Sequence, residues 1–273
     1  MYRQALKVNY PIFQEKLYEK ELLFFTKTIT RLIKEDIYIF LNSNDEYKSL
    51  RNDDFNGDFK RFIEFLGWKI LPELKKILSK LTATSIRINE FNKKSFTNSL
   101  NKIQSIQINT IAIKNIHIDT ELKMWITENT RLIKTIPSNL LGKVEELVFN
   151  SIRVGHSYKT LAKHLKLAFN ISENRAKVIA RDQISKLNGN LTRQRNLSLG
   201  ITKYKWLSSR DERVRHSHKV LEGKICSWQD ASIYKNNEVE KWQKRSSLKG
   251  VELHPAQDIL CRCTSTAIIS GLL

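Results

Sequence analysis

The sequence predicts a helix-rich α+β protein, in which a mostly helical N-terminal region leads into a C-terminal domain of helices with a small β-sheet. Three observations carry this expectation. Apolar residues recur at helical spacing through most of the chain as far as Gly200. Beyond Gly200 the texture changes to short alternating runs that carry aromatics. Gly (9) and Pro (4) are scarce, which argues against an all-β fold with many tight turns.

Each element follows from local chemistry. Residues 1–40 are expected to be helical, with Leu17, Leu22, Leu23, Phe24, Phe25, Ile29, Leu32 and Ile33 set among Lys and Glu. Asn, Ser and Asp between Leu41 and Gly57 predict a loop. Phe59 to Leu81 is periodic again, and Pro72 inside it should kink or split the helix, because proline lacks a backbone donor and clashes with the preceding turn. Ile106 to Ile118 alternates in places and suits either a strand or a stiff connector.

A helix is expected over Glu121–Ile133. Pro137 then punctuates, and Ser138 caps a further helix that stops at Gly155. Ser157 caps another, and Ser172 caps a long one, Glu173–Leu199, ended by Gly200. Ala176, Ile179, Ala180, Ile184, Leu187 and Leu191 form one stripe on it, expected to be a core face. Thr202–Leu207 reads as a strand, Glu212–Leu221 as a short helix ended at Gly223, and Lys224–Trp228 as a second strand. Tyr234–Gly250 is polar and reads as an exposed insertion; Ile259–Ile269 suits a final strand or hairpin.

The formal net charge is +19, and it is uneven. Residues 1–150 hold 24 Lys/Arg against 18 Asp/Glu, a difference of +6, and residues 151–273 hold 23 against 10, a difference of +13. Such a balance points first to a polyanion such as nucleic acid, with a merely lysine-rich surface as the plainer reading. Arg175, Arg181, Lys186, Arg193 and Arg195 are placed on the outer surface of the long helix. There they could bind phosphates or an acidic protein, or simply face solvent. No window of 18 uninterrupted apolar residues occurs, so no membrane partner is expected. The N-terminus lacks the apolar segment of a secretory signal, and three cysteines make a poor disulfide framework, so a reducing cytosol is expected.

The chemistry concentrates between Trp206 and Cys263, which encloses all three cysteines and three of the six histidines. His216, His218, His254, Cys261 and Cys263 are candidate metal ligands, because neutral imidazole and thiolate are the favoured donors of a tetrahedral zinc site. A Cys-x-Cys pair can place both sulfurs on one ion, and His254 lies seven residues before Cys261. The alternative is a pair of ordinary reduced cysteines in a core. A nuclease-like reading would use the histidines beside Arg213 and Arg215, with Asp211 or Asp258 on a metal. No compact carboxylate pair supports it, and no Walker loop, G-x-G-x-x-G or G-x-S-x-G occurs.

Roughly residues 138–269 resemble the Mu F-like phage head morphogenesis proteins, the minor head proteins of tailed phages. The resemblance rests on pieces that occur in order. They are Gly155-x-Ser157, then Ile171-Ser172-x-x-Arg175-Ala176, then Ile179-Ala180-Arg181 with Asn188. Tyr204-x-Trp206 follows, then Asp211-x-Arg213-Val214-Arg215-x-x-His218-x-x-Leu221-x-Gly223, and finally His254-Pro255 with Cys261-Arg262-Cys263. Where the family often has Thr-Glu after Ile-Ala-Arg, this chain has Asp182-Gln183.

The resemblance implies a division into a variable, mostly helical region, 1–135, and a minor head protein domain, 136–273. It implies a virion component, made in the bacterial host cytoplasm and acting in head morphogenesis. Its implied partners are the portal protein and other head proteins, with sequence-independent contact to double-stranded DNA. The motif residues would then be scaffolding, around a metal such as zinc held by His218, His254, Cys261 and Cys263, and Arg213 and Arg215 would pair with acids inside the domain. On this reading the chain is not an enzyme. The competing expectation is a metal-dependent nuclease or toxin-like enzyme acting on nucleic acid.

Overall fold

The computed structural model describes residues 6–43, 53–103 and 118–269. A helix-rich N-terminal region is followed by a C-terminal mixed α/β region with a small antiparallel sheet, as the sequence predicts. The elements are β1 (Leu6–Lys7), α1 (Ile12–Ser43), α2 (Asp53–Ser79), α3 (Leu81–Asn101), α4 (Asp119–Val154) and α5 (Tyr158–Ser198). There follow β2 (Lys203–Leu207), the short α6 (His216–Lys219), β3 (Ile225–Ser227), β4 (Ile233–Lys235), β5 (Gln243–Lys244), a 3-10 turn (Arg245–Leu248) and β6 (Thr264–Ile268). Among the described residues, no helix is long and apolar enough to cross a membrane.

The chain divides into two compact units. One comprises Lys16–Thr82 and Ile126–Ala180. Its helices bury regular stripes: Tyr18, Leu22, Phe25, Ile29, Ile33 and Ile37 on α1, and Phe59, Leu66, Ile70 and Ile77 on α2. Pro72 lies inside α2, which continues through it rather than splitting. Asp53–Gly57, expected as loop, is the first part of α2, while residues 44–52 lie outside the described residues. Pro137 likewise does not end a helix: α4 runs through it. The reason is visible in its buried stripe, Ile133, Ile136, Leu140, Val144 and Val148, which passes through the proline without a break. Burial of that stripe outweighs the single backbone hydrogen bond that proline removes.

Two expected caps are therefore corrected. The Ser138 hydroxyl donates to the Lys134 carbonyl 3.2 Å away, and Ser172 donates to the Ala168 carbonyl at 3.3 Å, both inside continuous helices. Ser157 is a true N-cap, accepting from the Thr160 N–H at 3.3 Å. Gly155 and Gly200 follow the ends of α4 and α5 with φ of 72°, the left-handed conformation glycine adopts without a Cβ penalty.

The other unit comprises Met1–Glu15, Ala83–Trp125 and Arg181–Leu273. Its sheet has six strands in the order β1-β6-β2-β3-β4-β5, with every neighbouring pair antiparallel. The strand β1 was not expected within the helical 1–40; Leu6 pairs with Ala267 across the whole length of the sequence. Leu6, Val8, Phe96, Leu100, Ile103 and Ile201 form one core against it. Ile106–Ile118, expected as a strand or a stiff connector, falls almost wholly outside the described residues, and the region before it is the helix α3.

Tyr234–Gly250 is not an exposed insertion. It supplies β4, β5 and the 3-10 turn, and it buries Tyr234, Lys235 and Arg245. The predicted core stripe on the long helix holds, since Ala176, Ile179, Ala180, Ile184, Leu187 and Leu191 are all buried.

Candidate metal centre

Three of the expected ligands meet. His218, Cys261 and Cys263 are buried, and one ligand atom from each lies within 4.8 Å of the others. They arrive on two local structures. His218 sits on α6, whose first turn is set by Arg215. Cys261 and Cys263 lie two residues apart in the irregular segment just before β6, and both sulfurs face His218. Tyr204 and Trp206 on β2 close the cluster from the sheet, with Leu221, Cys226, Trp228 and Tyr234 around them.

The Nδ1 atom of His218 lies 3.5 Å from Cys261 Sγ and 3.4 Å from Cys263 Sγ. Zinc bonds of about 2.1 Å to nitrogen and 2.3 Å to sulfur, set at the tetrahedral angle, separate the donor atoms by roughly 3.6 Å. The residues therefore fit zinc in both donor type and spacing. The opposite ring nitrogen, Nε2, lies 2.9 Å from Asp258 Oδ2. A carboxylate behind a ligating imidazole fixes its tautomer and makes the free nitrogen more basic.

Negative charge at the sulfurs is provided for. The Cys261 thiol is held well below its ordinary pKa, first by the hydrogen bond from Cys263 and then by His218 and backbone N–H groups, against the effect of burial. Cys263 is pushed up, chiefly by Cys261. The pair thus shares one proton in the absence of a metal. The buried indole N–H of Trp206 acts on Cys263 in favour of its thiolate. The hydrogen bond with Cys261 raises the pKa of His218 against the effect of burial, with the Cys261 charge and Asp258 adding to it.

A shell of ion pairs ties the two ends of this region together. Arg262 grips Asp211 with two guanidinium nitrogens, one of them at 2.6 Å. Arg215 pairs with Asp258 at 2.9 Å and also donates to the Ile259 carbonyl. Ser185 on α5 donates to the Cys261 carbonyl at 2.9 Å, and Asp182 accepts from the Leu260 N–H at 2.7 Å. Asp182, which stands where the family pattern differs, therefore anchors the loop that carries the cysteines. Asp211 and Asp258 are engaged by arginines and His218, and neither belongs to the donor cluster.

His254 is not part of the cluster. Its Nδ1 lies 3.2 Å from the Tyr204 hydroxyl, which in turn accepts from Arg245 at 3.0 Å. Burial, then the charges of Arg193 and Arg245, lower its pKa to about 3, so the imidazole is neutral. His216 is exposed, and so is Arg213, whose backbone N–H reaches Asp211 at 3.1 Å. Gly223 has φ of 74° and follows the turn after α6.

The five basic residues placed on the long helix separate. Arg195 is 2% exposed and donates to Asn92 and Asn89, both at 2.5 Å, so it does not lie on the outer surface. Arg193 donates to the Trp228 carbonyl at 3.0 Å, and Lys186 pairs with Asp182 at 2.9 Å. Arg175 is exposed and donates to Thr135 at 2.8 Å; Arg181 is exposed.

Sequence reading missed Arg245. Its guanidinium is fully buried and donates to the carbonyls of Ile233, Val251 and Leu253 and to Tyr204. It also lies over the Trp206 ring, 5.5 Å from the centroid. Nothing in a polar stretch marks one arginine for burial. Asp258 was weighed only as a metal ligand; its place three residues before Cys261 was the available signal.

Residues 142–266 match the family described as Phage Mu protein F like protein. This Mu F-like segment contains all three donors, Asp258 and both arginine pairs. A Haemophilus influenzae (strain ATCC 51907 / DSM 11121 / KW20 / Rd) protein described as "Uncharacterized protein" is 36% identical over 143 residues, which is 52% of this chain. The chain spans 28% of the length of that relative. No solved structure matches.

The expectation that this chain is not an enzyme does not stand as written. A buried His/Cys/Cys set able to hold a metal ion is the raw material of metal-dependent chemistry, and the Mu F-like segment carries one.

Proposed function

We propose that this chain is a minor head protein acting in phage head morphogenesis, with a zinc ion held by His218, Cys261 and Cys263 in its C-terminal part. The carrying observation is that the Mu F-like match, 142–266, encloses the whole donor cluster and its supporting ion pairs. The family domain is taken as 136–273, with 1–135 as the variable region. Zinc there would close the loop after His254 onto α6 and β2, replacing the contacts a small sheet cannot supply alone. The +19 charge suits a position beside packaged DNA at the portal vertex of the virion, after synthesis in the bacterial host cytoplasm. Quantitative mass spectrometry of purified heads tests this. A few copies per particle are expected; absence from proheads and mature virions would overturn it.

One observation favours a second reading. The cluster offers three protein donors, and a zinc site with three protein ligands keeps a position for water. A cleft lined by Tyr10, Ser185, Asn188, Thr192, Arg262 and Cys263 adjoins it. In that reading an ion held by His218, Cys261 and Cys263 would supply Lewis acidity toward a phosphodiester, Asp258 would hold the His218 tautomer, and the Arg262–Asp211 pair would fix one wall. Metal-dependent cleavage of plasmid DNA that is abolished by His218→Ala would establish it. Binding of DNA without cleavage would remove it.

A further inference from the structure

The basic face of α5 has a second apolar stripe that packs in no core among the described residues. Leu167, Ile171 and Val178 are 59%, 65% and 42% exposed. Spacings of four and seven place them on one face of the helix. The core stripe of the same stretch, which includes Leu161, Leu165 and Ala176, is separate and fully buried. Lys163, Lys166 and Lys177 are exposed and run along one flank of the outer stripe. Among the described residues none of these lysines makes an ion pair.

We propose that this face, from Lys163 to Val178, docks an acidic amphipathic helix of another protein. Exposed apolar side chains in a line mark a contact surface rather than a solvated one. The regular spacing asks for a partner that is itself helical, with apolar anchors every three or four residues. The charge selects its sign: residues 151–200 carry ten Lys/Arg against two Asp/Glu, so a second copy of this chain would be repelled. Nucleic acid would use the lysines but leave three large apolar side chains without a role.

The test uses the full chain and a defined probe, a synthetic helical peptide with leucines on one face and glutamates along one flank. A second peptide of the same composition, with the glutamates moved onto the leucine face, and a short DNA duplex serve as comparisons. Binding is read by fluorescence anisotropy, with hydrogen exchange reporting protection of 163–178. The Leu167→Ser, Ile171→Ser, Val178→Ser variant and the Lys163→Gln, Lys166→Gln, Lys177→Gln variant should each weaken binding of the first peptide at least about tenfold. Both variants alter exposed side chains, and unchanged thermal midpoints would show that they fold. Equal binding of the two peptides, or no protection of 163–178, overturns the proposal. So does a silent apolar variant paired with a lysine variant that loses only DNA, which would make the face a phosphate surface.

Discussion

Asp258 stands behind His218: its Oδ2 lies 2.9 Å from Nε2, while the Nδ1 on the other side of the ring faces Cys261 and Cys263. The carboxylate is itself held below the usual range by hydrogen bonds from His218 and the Ile259 N–H and by the Arg215 charge, although burial alone would raise it. With a metal bound between the ring and the sulfurs, a charged Asp258 would keep the proton on Nε2 and leave the Nδ1 lone pair for the ion. Asp258→Asn preserves size and removes that charge. We expect zinc affinity to fall about 10- to 100-fold, measured by competition with a chromogenic chelator. Unchanged affinity would mean that Asp258 serves only its ion pair with Arg215.

The donor set predicts metal content. Protein purified without chelator should carry about one zinc per chain by elemental analysis, and Cys261→Ser or Cys263→Ser should carry far less. Stripping the metal should lower the thermal midpoint by roughly 10 °C or more, because metal binding to the folded chain adds directly to stability. His254→Gln should retain its zinc, since His254 lies outside the cluster. Loss of zinc from that variant would return His254 to the ligand set.

His254 also sets a pH dependence. Its pKa falls from an ordinary 6.5 to about 3 in the folded chain. As pH drops below 6.5 the unfolded chain takes up a proton that the folded one refuses, so the stability present above 6.5 is lost progressively toward about 3. The slope from this group approaches about 1.4 kcal/mol per pH unit within that window. Urea denaturation between pH 4 and 7 should show a shallower slope for His254→Gln than for the wild type. Identical slopes would place the proton uptake elsewhere.

Arg245 should be one of the costliest single residues to replace. Arg245→Met leaves the carbonyls of Ile233, Val251 and Leu253 and the buried Tyr204 hydroxyl without their donor. A loss of about 3 kcal/mol or more is expected by chemical denaturation. Arg245→Lys should recover only part of it, because an ammonium cannot reproduce the planar fork. A near-neutral Arg245→Met would show that the loops carrying Val251 and Leu253 relax to reach water.

Much of this architecture was written locally. The stripes of α1, α2 and α5, the Ser157 cap and the stops at Gly155 and Gly200 depend on residues within a turn or two of each other. The expected breaks at Pro137, Ser138 and Ser172 were equally local and did not occur. There the rule lost to a long buried stripe, whose worth depends on what packs against it. The polar look of 234–250 hid Arg245 because its acceptors are backbone carbonyls and the Tyr204 hydroxyl 41 residues away, which no local pattern of polarity reveals.

The sequence by itself determined the helix-rich class, the small sheet, the basic balance and the donor types His and Cys-x-Cys. Tertiary structure alone decided that His218 rather than His254 joins the cysteines, that Arg195 is interior rather than outward, and that β1 closes an edge of the sheet beside β6. The physical reason is one of range. Helix periodicity and capping are set by neighbours along the chain. The choice of ligand and the fate of a charge depend on which distant groups desolvate it and which supply its hydrogen bonds.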